Sequence, residues 1–235
     1  MTPDVIGETW TFIRDNQERF NSLLLAHIRI SGMALLLAMT LYLPLGVLLA
    51  QSTRLGSSVA GVLSAVRVIP SLALVFIFVP WLGFGYRPAL LALVLLAAPP
   101  LLINTLTGLR QVDPAVIDAA RGMGMTRMGV LTRVQVPLAV PLLLAGIRTA
   151  AVEIVASATL ASMIGVKTLG QFIFTGISLL DPVYLLAGGI PIVLLVLAIE
   201  VVFGGIEWLA KPGHASGQPA IKLVESNLTQ GATAA

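Results

Sequence analysis

The sequence predicts an all-α membrane protein of about five transmembrane helices, with an amphipathic helix at its N-terminus and a helix–turn–helix loop between spans. Three observations lead there. Of the 235 residues, 57% are hydrophobic and 11% charged, where a soluble domain carries roughly 25% charge; the mean hydropathy is +0.97. Five apolar stretches reach the roughly 20 residues that a bilayer crossing needs. From Arg110 to Arg133 a polar island holds four arginines and two aspartates. A bilayer core does not accommodate that charge, so the island lies in water between spans.

The first element is residues 1–22. Ile6, Trp10, Ile13 and Phe20 recur at helical spacing, with Asp4, Glu8, Arg14, Asp15, Glu18 and Arg19 off that face. Thr2-Pro3-Asp4 reads as a helix start. The pattern over 3–20 predicts a helix lying along the membrane surface, too polar to cross it. A membrane domain over 23–209 follows, with spans expected at about 30–50, 59–81, 88–109, 139–164 and 183–209. Pro44, Pro70, Pro80, Pro99-Pro100, Pro141 and Pro191 interrupt them, which in a packed bundle means kinks, because neighbouring helices satisfy the freed backbone groups. Gly46, Gly188 and Gly204 are placed for close helix contacts. Residues 210–235 lose the hydrophobic period and predict a disordered tail. The N-terminus lacks a basic n-region, so the first span is expected to do the targeting.

Charge narrows the function classes. The net charge is only +3 despite a pI near 9.7, and the arginines form no continuous stripe, so the expected partner is the lipid bilayer and not nucleic acid. There is no cysteine, and His27 and His214 stand at opposite ends, so no metal site is expected. Gly165-Val166-Lys167-Thr168 lacks the glycine directly before lysine that a phosphate-cradling loop needs. Any ATP and Mg²⁺ would have to be bound by another subunit, and the chain itself is expected to hold no cofactor and to be no enzyme. The arginines of the island place it on the cytoplasmic side. With five spans, the N-terminus is then outside and the C-terminus inside; lysine and arginine divide seven inside (54, 110, 121, 127, 133, 211, 222) to five outside (14, 19, 29, 87, 167).

Within the loop 110–138, Asp113-Pro114 is a helix start, with Asp as N-cap and Pro at the first helical position. Residues 115–121 form a short helix, Gly122 and Gly124 break it, and Thr126 caps a second one from Arg127 to about Val134. Pro137 then begins the next span. Ala119 and Ala120 leave a smooth surface that a partner's groove can approach.

The spacing is also specific. Asp118-Ala119-Ala120, three residues, Gly124, nine residues, then Val134-Gln135-Val136-Pro137 resembles the EAA loop of permeases of type I ABC importers, the binding-protein-dependent transport family. Asp stands for the usual Glu, and valines for Ile and Leu. Ile69-Pro70-Ser71-Leu72-Ala73-Leu74, Leu82-Gly83-Phe84-Gly85-Tyr86, Ala145-Gly146-Ile147-Arg148-Thr149-Ala150 and Ala158-Thr159-Leu160-Ala161-Ser162 resemble the osmoprotectant subgroup, importers of glycine betaine, choline, carnitine or proline betaine. The likeness covers about 25–205; methionine permeases are the nearest alternative. The resemblance implies a bacterial inner-membrane permease that works with a second permease subunit, identical or homologous, an extracytoplasmic binding protein and separate ABC ATPase subunits. It implies that Asp118, Ala119, Ala120, Arg121, Gly122, Gly124, Met125 and Pro137 make the coupling to the ATPase.

Glu153 falls near the middle of the fourth span. An ionisable group there is either on the translocation path or paired inside the bundle; Pro70 and Ser71 are candidates for the same path. Arg148 lies five residues away, about 140° around the helix, so the two do not pair directly. Glu200 and Glu207 are expected to face water at the end of the last span. Trp81, Phe84, Tyr86, Tyr184 and Trp208 sit at span ends and read as an interfacial belt more readily than as an aromatic cage for quaternary ammonium. A secondary transporter would show internal repeats and a midplane ion site, and five spans without duplication speak against it; a scaffold without transport is a third reading.

Overall fold

Asp4 caps the first helix, its carboxylate accepting from the Gly7 amide at 3.1 Å. The computed structural model describes residues 4–52, 58–59, 61–63 and 68–210. The expectations for the tail beyond Ala210, for Thr2-Pro3, and for Arg54, Arg67, Lys211, His214 and Lys222 fall outside the described residues. The helices are α1 (Val5–Asp15), α2 (Gln17–Ala50), α3 (Ser71–Ile77), α4 (Val79–Leu82), α5 (Tyr86–Leu96) and α6 (Ala98–Arg110). They continue with α7 (Pro114–Gly122), α8 (Arg127–Val130), a π turn (Leu131–Gln135) and α9 (Val136–Ala158). A 3₁₀ turn (Leu160–Ile164), α10 (Gly170–Leu179) and α11 (Pro182–Ala210) follow, with no strand among the described residues.

The N-terminal helix differs from the 3–20 expectation. It ends at Asp15, and Phe20 already belongs to α2. Ile6 and Trp10 are 72% and 63% exposed, while Thr9 is buried and Phe12 packs edge-on to Phe172 at 5.8 Å. So α1 presents an apolar face outward, as an interfacial helix does, and a second face to α10 and α11.

Among the described residues, four helical stretches are long and apolar enough to cross a membrane: Gln17–Ala50, Tyr86–Arg110, Arg127–Ala158 and Pro182–Leu209. The first is 34 residues long, so at 1.5 Å per residue it outruns the expected span 30–50 on its N-terminal side. The second expected span, 59–81, has residues 60 and 64–67 outside the described set. Its described part comprises helical residues at 59 and 61–63 and then two short helices, α3 and α4, parted at Phe78. Two prolines account for this. Pro70 (φ −58°, ψ 133°) opens α3 and disfavours helical backbone at Ile69, and Pro80 can start α4 but cannot donate a helix bond.

The core lies among α2, α5, α6 and α9, where Ile30, Leu93, Leu101, Ile147 and Ile154 interdigitate with Ala34, Ala38, Ala92, Ala150 and Ala158. In lipid there is no hydrophobic drive between helices, so close backbone approach through small residues supplies the packing. Gly146 is the clearest case: a Cβ there would lie 2.7 Å from Asn104 Cβ and 2.9 Å from the Pro100 carbonyl oxygen. His27 is wholly buried, and its Nε2 donates to the Val155 carbonyl at 3.0 Å, which caps the last turn of α9 from α2.

Two satellite clusters fix the ends of the bundle. Leu23 of α2 packs with Leu169, Phe172 and Ile192. At the other end Val47 and Ala50 pack with Leu109, Leu131 and Ala139. The loop between α6 and α9 therefore projects from the end of the bundle opposite α1.

Candidate coupling elbow and membrane path

The elbow is built by its caps. Asp113 Oδ1 accepts from the Ala115 amide at 2.8 Å and Pro114 occupies the first helical position, so α7 starts where the chain leaves α6. It ends in a Schellman closure: the Met125 amide donates to the Ala120 carbonyl at 3.2 Å and the Gly124 amide to Arg121 at 2.9 Å. That closure needs a left-handed residue, and Gly124 supplies it with φ +84°. Gly122, in contrast, is an ordinary helical residue at the end of α7. Thr126 Oγ1 accepts from the Gly129 amide at 3.2 Å and starts α8. Thr126→Ala is expected to cost about 1 kcal/mol locally; hydrogen exchange would report faster exchange at Gly129 and Val130, with the amides of α6 unchanged.

The second leg differs from expectation. The sequence predicts a short helix to about Val134 and a fresh start at Pro137. The structure runs from Arg127 to Ala158 without a break, through the π turn. Pro137 cannot donate, and its ring presses on the carbonyl four residues back; the Val136 amide bonding to Leu131 widens the turn just before it. The elbow is thus one piece with α9, the helix that makes the most extensive contact with α6.

The surface of the elbow was partly misjudged by the sequence reading. Asp118, Ala119 and Arg121 are exposed, and Asp118 and Arg121 form an i,i+3 ion pair at 3.9 Å, worth little in water. Ala120 is 2% exposed and faces inward, so it supports the elbow and does not offer the smooth surface expected of it. Met125 is half-buried, while Met123 and Met128 are 77% and 66% exposed and Val116 is 42% exposed. Val116, Met123 and Met128 are thus apolar side chains left exposed on an otherwise polar elbow. The run of methionines at 123, 125 and 128 was the available signal; which of them face out depends on the Gly124 turn.

Within the bundle, Arg148 of α9 reaches α11. Its Nε is 3.5 Å from Glu200 Oε2 and its Nη1 3.4 Å from Glu207 Oε2. Glu200 and Glu207 therefore do not simply face water; they are seven residues apart on one face of α11, and one guanidinium bridges them. The Glu207 side chain is 17% exposed. Removing the cation in Arg148→Met strands that carboxylate. The expected loss is about 2 kcal/mol, below the 3–5 of a fully buried pair because the arginine is a third exposed. Melting of the purified protein in detergent checks it, and Glu207→Met added to Arg148→Met should recover part of the loss.

Glu153 sits half-buried on α9, between Thr149 and Ser157 at i±4 spacing. Pro70 is exposed, Ser71 is half-buried at the start of α3, and α3 packs against α5 and the 3₁₀ turn that follows α9. Of the residues expected in the aromatic belt, Trp81, Phe84 and Trp208 are 71–76% exposed. Tyr184 departs from it. Its ring lies 4.5 Å from Phe12 and 6.3 Å from Phe172, and Arg19 stands over Phe172 at 5.2 Å. This aromatic cluster joins α1 to α10 and α11, and the cation on it comes from the chain itself.

The family model described as binding-protein-dependent transport system inner membrane component matches residues 42–210. The chain belongs to that family. A carnitine transport permease protein of Listeria monocytogenes, OpuCB, is 39% identical over 202 residues, covering 86% of this chain and 93% of the relative. The choline transport system permease protein OpuBB of Bacillus subtilis is 38% identical, covering 77% of this chain and 83% of its own. The glycine betaine/carnitine/choline permease OpuCB of the same organism is 34% identical, covering 92% of this chain and all of its own. In fold, the chain is similar to the MetNI methionine ABC transporter in an inward-facing conformation. The TM-score is 0.77 at 20% identity, over 84% of this chain and 99% of that one. An inner-membrane permease with the elbow between spans is what the sequence motif implies.

Proposed function

We propose that this chain is the transmembrane permease subunit of an ATP-driven importer of quaternary-ammonium osmolytes, namely choline, carnitine, glycine betaine or proline betaine. What carries the reading is the capped elbow 110–138 made continuous with α9, a lever exposed at one end and gripped in the bundle at the other. The relatives named for carnitine, choline and glycine betaine give the cargo class. The likeness to the methionine transporter, at 20% identity, speaks for the fold and not for its cargo.

In this reading an extracytoplasmic binding protein delivers the osmolyte to a pair of permease subunits. Separate ABC ATPase subunits hold ATP and Mg²⁺ and dock on the elbow. Closure of the ATPases pushes Val116, Ala119, Met123 and Met128, and the continuous helix 127–158 carries the motion past Arg148 and Glu153, switching the bundle between two states. Orientation follows from the arginines of the elbow, which face the cytoplasm of a bacterial inner membrane; α1 is then outside. Glu153, with Pro70 and Ser71, borders the path, where a carboxylate draws the cationic head group inward.

Vesicles containing the permease, its ATPase and its binding protein provide the test. ATP-driven uptake of labelled choline, carnitine or glycine betaine is expected, with Glu153→Gln slowing it. Uptake of methionine and of none of the three would overturn the cargo assignment.

A further inference from the structure

At the end of the bundle away from the elbow, α2, the start of α5 and the turn after α9 enclose an open groove of about 800 Å³. Its mouth carries two exposed cations, Arg29 and Lys167, and neither forms an ion pair with a described residue. Its apolar lining is Ile28, Met33 and Leu36 on α2, all exposed, and buried Val166 opposite, with Gly32 among them and nothing beyond its own helix backbone within 4 Å of where its Cβ would be. The Tyr86 hydroxyl donates to Met33 Sδ at 3.5 Å and closes one side.

Depth gives these residues their meaning. Arg29 is 21 residues from Ala50, the end of α2 that packs at the elbow's base. At 1.5 Å per residue that is about 32 Å, one hydrocarbon thickness. Arg29 therefore stands at the far headgroup level, and Met33 and Leu36 descend about 6 and 10 Å below it into the acyl region. A site with cations at headgroup level and an apolar channel continuing from them into the hydrocarbon matches one kind of molecule. We infer that this groove seats an anionic phospholipid, its phosphate between Arg29 and Lys167 and an acyl chain along Gly32, Met33 and Leu36. A soluble anion would use the cations and leave the channel empty, whereas a zwitterionic lipid would fill the channel without the net charge the cations favour. The inference concerns lipid alone, so its failure would leave the proposed cargo untouched, and the reverse also holds.

Native mass spectrometry of the permease assembled with its ATPase tests it, with dioleoyl phosphatidylglycerol and dioleoyl phosphatidylcholine as probes. Phosphatidylglycerol is expected to be retained in preference to phosphatidylcholine. Each of Arg29→Gln and Lys167→Gln should weaken retention about fivefold, the usual worth of one basic residue at an anionic surface, and Arg29→Lys should keep it. Gly32→Leu leaves both cations and fills the floor, so it too should lower retention without loss of melting temperature. Equal retention of the two lipids, unchanged retention in the Arg29→Gln/Lys167→Gln double variant or in Gly32→Leu, or displacement of the lipid by millimolar inorganic phosphate would each overturn the assignment.

Discussion

Gly146→Leu is expected to prevent the bundle from closing. At this position α9 crosses α6 so tightly that even a single carbon would meet Asn104 Cβ at 2.7 Å and the Pro100 carbonyl at 2.9 Å. Neither is the tip of a flexible chain: one is fixed to the helix backbone and the other is backbone. The helices must separate, and among the described helices α6 and α9 share the most extensive contact, with Ile147, Ala150 and Ile154 in the same core as Leu101. Overpacking a site that yields costs about 1–3 kcal/mol; here the cost should lie at or above the top of that range. In a membrane the loss is sharper still, because close packing is what holds helices together. The checks are yield of monodisperse protein in detergent and its melting temperature. Gly189→Leu is the control, since a Cβ there meets nothing within 4 Å; it should behave like the parent.

Met123→Glu is expected to leave the folded permease intact and abolish transport. Met123 is 77% exposed at the turn between α7 and α8, and the elbow's own hydrogen bonds there come from backbone and from Thr126. A carboxylate at this point costs the fold nothing, since it remains in water. In the docked state it would be buried without a partner, which costs several kcal/mol at an interface. ATP-driven uptake should fall at least tenfold, the ATPase should no longer co-purify, and the melting temperature of the isolated permease should not move. Arg14→Glu, at the opposite end of the bundle, serves as the contrast and should retain the ATPase.

Much of this architecture was legible in the sequence because it is written in local signals. Asp113-Pro114, Gly124 and Thr126 specify caps and a left-handed turn within a few residues, and the structure uses each for that purpose. The spans at 88–109 and 183–209 were bounded within about two residues, since a change from apolar to polar residues marks both ends. Long-range features were not legible. The Arg148–Glu200–Glu207 bridge joins residues 52 and 59 positions apart, and nothing along the chain says which helices are neighbours. The burial of Ala120 and the exposure of Met123 follow from the rotation set by one glycine. The π turn at Leu131–Gln135 answers a proline that sequence reading takes for a helix start, when the widened turn lets one helix continue through it. Helix α10, only 10 residues, was missed because it is too short to span and too apolar to signal a surface helix.

A cross-link reports whether the ATPase docks on the elbow. The chain contains no cysteine, so Met123→Cys provides a single thiol for a benzophenone label on the purified permease, which is then assembled with its ATPase. Illumination is predicted to join the permease to the ATPase from position 123, and to give no such product from Ile6→Cys at the other end of the bundle. No adduct from 123, or equal adducts from both positions, would contradict the account.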